Sequence, residues 1–156
     1  MLIHVIINGE KKKLHCQPDD MLLYVLRDAG YKSVKCGCDT TNCGLCTVWL
    51  DDVPVLSCSV PAARCNNRSV TTLEGVQDEV DIIGRFLVEE GGEQCGFCSP
   101  GLIMNVIAMK KEFRANGNLH PTDDEIKHFL AGNLCRCTGY MSQMRAIRKY
   151  VETEVN

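Results

Sequence analysis

The sequence predicts an α+β chain in two parts: a strand-rich N-terminal domain over residues 1–76 and a C-terminal four-helix bundle over residues 77–156. Three observations carry this reading. Asn8-Gly9 sits between two runs of alternating hydrophobicity, the apolar period lengthens to 3.6 after Asp78, and the eleven cysteines gather mainly into one set in each part.

Taken in order, Leu2 to Ile7 reads as a strand and Lys11 to Cys16 as its hairpin partner, because Asn-Gly supplies the positive φ angles of a two-residue turn. Met21, Leu22, Val25 and Leu26 fall on one helical face, introduced by Pro18-Asp19-Asp20 and stopped by Gly30. Residues 35–46 have little periodicity and form a loop. Thr47 to Leu50 and Pro54 to Val60 flank Asp51-Asp52 as a second hairpin, and Ser69 to Leu73 is a last strand ending near Gly75. Val80, Ile83 and Leu87, with Phe86 beside them, open the helical half. Ser99-Pro100 is placed to cap and start the next helix, whose buried stripe is Leu102, Val106, Met109 and Phe113. Thr122 to Glu125 fits a capping box before Ile126, Phe129 and Leu130, and Tyr140, Met144, Ile147 and Val151 mark a fourth helix. No internal repeat links the two parts.

A chain of 156 residues has room for a core but not for a large substrate cavity as well. Its formal charge of -3 leaves no basic footprint for nucleic acid. Apolar windows such as Leu102 to Met109 are too short to cross a bilayer, so no membrane association is expected. Lys11, Lys12 and Lys13 follow rather than precede the first apolar run, the wrong order for a secretory signal. The odd cysteine count then favours a reducing, cytoplasmic setting in which thiolates bind metal.

Cys38-x4-Cys43-x2-Cys46, with Cys58 following, has the plant-type ferredoxin spacing for a 2Fe-2S cluster, in which each iron takes two thiolates and two bridging sulfides. Gly37 and Gly44 let the backbone turn closely around the sulfurs and direct amides at them. Cys36 would break the spacing, and it is read with Cys16 and Cys65 as a non-ligand that packs as a small apolar group. A four-cysteine zinc site is the competing interpretation.

Cys95-x2-Cys98 and Cys135-x-Cys137 are each followed by a helix start, whose positive end would favour an anionic cluster. Alone, the Cys-x2-Cys pair also suits a redox thiol motif or half a zinc site. However, the long runs Gln94-Cys95-Gly96-Phe97-Cys98-Ser99-Pro100-Gly101 and Gly132-Asn133-Leu134-Cys135-Arg136-Cys137-Thr138-Gly139-Tyr140, following a ferredoxin-type set, resemble the iron–sulfur subunit of the xanthine oxidase family of molybdenum hydroxylases. The resemblance covers nearly the whole chain.

It implies a beta-grasp ferredoxin-like domain followed by a four-helix bundle, each carrying one 2Fe-2S cluster. Cys38, Cys43, Cys46 and Cys58 would hold the first cluster and Cys95, Cys98, Cys135 and Cys137 the second. It also implies a large partner subunit with a molybdopterin cofactor and a medium subunit with FAD. Electrons would pass from the pterin through both clusters to the flavin, with Gln94 and Cys137 facing the pterin. The substrate, whether purine, other N-heterocycle, aldehyde or carbon monoxide, would be chosen by the partner. One departure stands out. The family usually has glycine where this chain has Thr41, and a threonine with positive φ is strained, so the loop is expected to bend differently here, using Asn42.

His4, His15, His120 and His128 have no ligand spacing, and Lys11 to Lys13, Arg145, Arg148 and Lys149 read as solvated faces. No Gly-x-Gly-x-x-Gly unit supports flavin or nicotinamide binding on this chain. Trp49, the only tryptophan, alternates with Leu50 in a strand beside the first cluster and reads as core packing. A zinc-stabilised interaction module and a Cys95-Cys98 thiol-disulfide sensor are the rivals from other classes.

Overall fold

The computed structural model describes residues 1–153; the last three positions of the predicted second domain lie outside them. Strands β1 (Leu2–Ile7) and β2 (Glu10–His15) form the expected hairpin around Asn8 and Gly9, whose φ angles are +52° and +84°. Helix α1 (Leu22–Asp28) follows, with Leu22, Leu23, Val25 and Leu26 buried. Strands β3 (Thr47–Leu50) and β4 (Val53–Leu56) pair through a second two-residue turn, in which Asp51 and Asp52 both take positive φ. With β5 (Ser69–Thr71) they make one mixed five-stranded sheet of order β2-β1-β5-β3-β4, in which only β1 and β5 run parallel.

Two strands are shorter than their patterns suggest. β4 stops at Leu56 because Ser57 binds back to the Cys46 carbonyl through both its backbone N–H (3.3 Å) and its hydroxyl (2.7 Å), turning Ser57–Ser59 into a single 3₁₀ turn. β5 stops at Thr71 because the Asn8 amide captures Thr72, accepting from its N–H and donating to its hydroxyl, both at 2.9 Å.

Four helices follow: α2 (Gln77–Glu89), α3 (Ser99–Ala115), α4 (Asp123–Phe129) and α5 (Met141–Val151). They share one core in which Ile83, Leu87, Leu102, Val106, Met109, Ile126, Ile147 and Tyr150 are buried. The Thr122 capping box forms as expected: its hydroxyl accepts from the Glu125 N–H, and the Glu125 carboxylate accepts from the Thr122 N–H. Two helix starts differ from expectation. Ser99 is the first residue of α3 rather than its cap, and its hydroxyl donates to Glu93. Tyr140 lies outside α5 with φ +68° and is exposed, whereas Ile147 and Val151 are buried as expected, Met144 is partly so, and Gln143 and Tyr150 join them on the buried face.

The sheet and α1 enclose a separate core of Ile3, Val5, Ile7, Leu22, Leu26, Val48, Leu50 and Val70. Strand β3 is buried on both faces, and its alternation serves the two cores in turn. Val48 and Leu50 face the sheet core, while Trp49 turns to the helices, where its indole N–H donates to the Met104 carbonyl at 3.0 Å. The tryptophan is core packing as expected, and the core it joins is the helical one.

Candidate metal centres

The loop before β3 carries three cysteines of the first set. Cys43 and Cys46 are buried, whereas Cys38 and Cys58 are half-buried. Cys58 arrives on the 3₁₀ turn that Ser57 ties to the Cys46 carbonyl, so one local device brings a distant sulfur to the loop. The sulfurs meet in pairs: Cys38 and Cys43 are within hydrogen-bond reach of each other, as are Cys46 and Cys58. Backbone N–H groups of Asn42 and Thr40, joined by the neighbouring Cys43, pull the Cys38 thiol down to about 6. Burial, followed by the neighbouring Cys46, pushes Cys58 up to about 12. The loop thus already directs amide dipoles at an anionic sulfur.

Gly44 takes φ +75°, as the turn requires. Thr41 also takes positive φ, +55°, and its hydroxyl donates to the Thr40 carbonyl at 2.8 Å. The expected rerouting through Asn42 is therefore wrong: the ring of backbone contacts around Cys38 holds the turn in the left-handed form, and the threonine bears the strain. Cys36 is exposed, not packed as a small apolar group, while Cys16 and Cys65 are buried as expected.

In the second set Cys95 and Cys137 are exposed, and Cys98 and Cys135 are half-buried. Two turns and two helices bring them together. Gly96, at φ +73°, folds Cys95 over the start of α3, and Cys98 directly precedes that helix. Cys137 is separated from α5 by Thr138, Gly139 and Tyr140, so only one pair stands directly at a helix start. The Tyr140 hydroxyl reaches back to accept from the Cys135 N–H at 3.0 Å, and Thr138 accepts from the Tyr140 N–H at 3.2 Å.

These sulfurs pair across the two segments. Cys95 and Cys137 are 3.5 Å apart, and Cys98 and Cys135 lie within hydrogen-bond reach of each other. Burial raises Cys98 to about 11. It also pushes Cys135 up, but the Thr138 hydroxyl at 3.2 Å and the amides of Cys137 and Thr138 outweigh it and bring Cys135 down to about 7. Gln143 adds a further donor, its Nε2 3.5 Å from the Cys98 sulfur. Neither Thr138 nor Gln143 stands out as a sulfur donor in the sequence; the available signal for Gln143 was its place on the buried stripe of α5 with Ile147 and Tyr150.

Cys38 and Cys43 of the first set and all four cysteines of the second, Cys95, Cys98, Cys135 and Cys137, line one cavity of about 360 Å³. The Leu134 N–H donates to the Cys43 carbonyl at 2.9 Å, placing the first loop one residue from Cys135. Gln94 is exposed beside Cys95. Among the described residues no group of three or more His, Cys, Asp or Glu side chains closes on one ion position. The sulfurs are instead arranged two and two, the arrangement a diiron core uses.

Residues 5–69 match the family described as "2Fe-2S iron-sulfur cluster binding domain", and residues 72–148 match the "[2Fe-2S] binding domain". Fold and thiol sets thus define a protein with two 2Fe-2S-binding domains. The chain is 38% identical over 157 residues to the nicotinate dehydrogenase small FeS subunit of Eubacterium barkeri, an alignment covering 99% of this chain and 97% of that protein. It is 41% identical over 140 residues to the xanthine dehydrogenase iron-sulfur-binding subunit of Escherichia coli O157:H7, covering 88% and 86% respectively. Quinoline 2-oxidoreductase from Pseudomonas putida 86 superposes with a TM-score of 0.88 at 31% identity, over 97% of this chain and 93% of that one. The chain belongs to the small iron–sulfur subunits of the xanthine dehydrogenase family of molybdenum hydroxylases.

Proposed function

We propose that this chain is the electron-transfer subunit of a molybdenum hydroxylase, working between a molybdopterin-binding large subunit and an FAD-binding medium subunit. When bound, two 2Fe-2S clusters supply one-electron carriers linking those partners. Cys38 and Cys43, with Cys46 and Cys58, are the residues that would hold the first cluster; Cys95 and Cys137, with Cys98 and Cys135, would hold the second. The division falls at residues 76 and 77, with one cluster on each side. Substrate chemistry belongs to the large subunit.

The observation that carries this reading is the hydrogen bond from Leu134 to the Cys43 carbonyl, which joins the two thiol sets across one shared cavity. Cys95 and Cys137 are the exposed sulfurs of the second set, so that pair suits the side open to a partner. Gln94, exposed next to it, is assigned with Cys137 to the pterin-facing surface. Among the described residues no helix is long and apolar enough to cross a membrane, and we assign the complex to the cytoplasm.

Purification of the native complex, with metal analysis and EPR after dithionite reduction, tests the proposal. Two clusters require four irons per chain and two distinct 2Fe-2S signals. Cys58→Ser should remove one signal and Cys98→Ser the other. A single cluster in the unmodified protein would sink the two-site assignment, and zinc without acid-labile sulfide would return the protein to a structural zinc module.

A further inference from the structure

Seven polar or charged side chains are buried among the described residues. Six answer to oxygen: Thr47 and Asn133 donate to the Gly44 carbonyl, Ser57 to the Cys46 carbonyl, Thr72 to Glu74, Ser99 to Glu93 and Lys110 to Thr153. Gln143 differs. It is 4% exposed, and its Nε2 points at the sulfur of Cys98.

The position is one where an apolar residue would satisfy the helix pattern. Gln143 shares the buried face of α5 with Ile147 and Tyr150, and its Cα packs so closely on Gly92 that a β-carbon there would approach within 3.3 Å. Burying an amide in such a place is costly unless the donor is used. Here it is used on the half-buried sulfur of Cys98, 3.5 Å away. The Gln143 backbone lies in α5 with Gly92 packed against its Cα.

Resting on the proposed second-cluster site, we infer that Gln143 is a positioning residue that sets the reduction potential of the cluster held by Cys95, Cys98, Cys135 and Cys137. Reduction adds one negative charge to the cluster and its thiolates. An N–H dipole fixed on a coordinating sulfur stabilises the reduced form more than the oxidised one and raises the potential. Thr138 does the same for Cys135, so both neutral side-chain donors act on the half-buried sulfur pair.

The test is an EPR-monitored redox titration of the native complex carrying Gln143→Met, which keeps length and apolar volume but has no donor. The ratio of reduced to oxidised second cluster should fall about tenfold at a fixed applied potential, a shift of about 59 mV downward for a one-electron couple. The first cluster should titrate as in the parent and serves as the internal reference. Gln143→Glu, which keeps the shape and exchanges donor for acceptor, should shift the same way and covers the case in which the methionine variant does not assemble. Unchanged potentials in both variants overturn the inference. Loss of the second signal in both would make Gln143 a purely structural residue and overturn it as well. A parent complex lacking the second signal would instead refute the site itself.

Discussion

Thr41 carries a cost that its neighbours impose. A β-branched residue at φ +55° is strained, and nothing but the short hydroxyl contact to the Thr40 carbonyl compensates locally. Left-handed strain of roughly 1–2 kcal/mol, less the roughly 0.5–1 kcal/mol of chain entropy that glycine loses on folding, predicts a net gain for Thr41→Gly. We expect the substitution to raise unfolding stability by about 0.5–1 kcal/mol, read as a higher denaturant midpoint of the cluster-loaded protein; a lower midpoint would show that the hydroxyl contact outweighs the strain. The same loop shows what residue-level reading misses. The spacing of Cys38, Cys43, Cys46 and Cys58 was visible, yet the conformation of Thr41 was not, because amides gathered on Cys38 override the local preference.

At the level of elements, α2 and α5 are clasped by charge at the end of α2. Arg145 and Lys149 both donate to the Glu90 carboxylate, at 2.8 Å and 2.5 Å. Lys149 and then Arg145 hold that carboxyl below the usual glutamate range. A carboxyl with a depressed folded pKa contributes stability that is complete above its unfolded value, near 4.3, and lost as pH falls through that value toward the folded one. The thermal unfolding midpoint of the parent should therefore fall more between about pH 5 and about pH 2 than that of Glu90→Gln. Equal slopes would remove Glu90 as a contributor. Arg145 and Lys149 had read as solvated faces; their partner lies 55 or more residues away, beyond any periodic pattern. The capping box at Thr122 was legible because it is closed entirely within four consecutive residues.

Over the whole molecule, the two halves meet where there is almost no room. A β-carbon on Gly101 would fall inside contact distance of the Gly44 carbonyl and the Leu45 backbone, and one on Gly44 would meet the Gly132 carbonyl and Asn133. Asn105 bridges Thr47 and Asn133 at 3.2 Å and 2.8 Å, and Lys35 lies over the Phe97 ring at 5.7 Å. Gly101→Ala must push the first loop from α3, at about 1–3 kcal/mol for overpacking. Its unfolding midpoint should drop accordingly, and an unchanged midpoint would show that the joint is compliant.

What could be read directly from the chain was whatever is local or spaced: the Asn8-Gly9 hairpin, the helical periods, the cysteine intervals, and the long motifs that carried the family resemblance. Tertiary structure alone decided how the sulfurs pair, that Trp49 crosses to the helical core, that Leu134 joins Cys43, and that Gln143 turns to Cys98. The reason is physical. Periodicity records which side of an element faces inward, but not which partner waits there. The second thiol set, from Cys95 to Cys137, becomes a site only when α3 and α5 bring together segments that share no local signal.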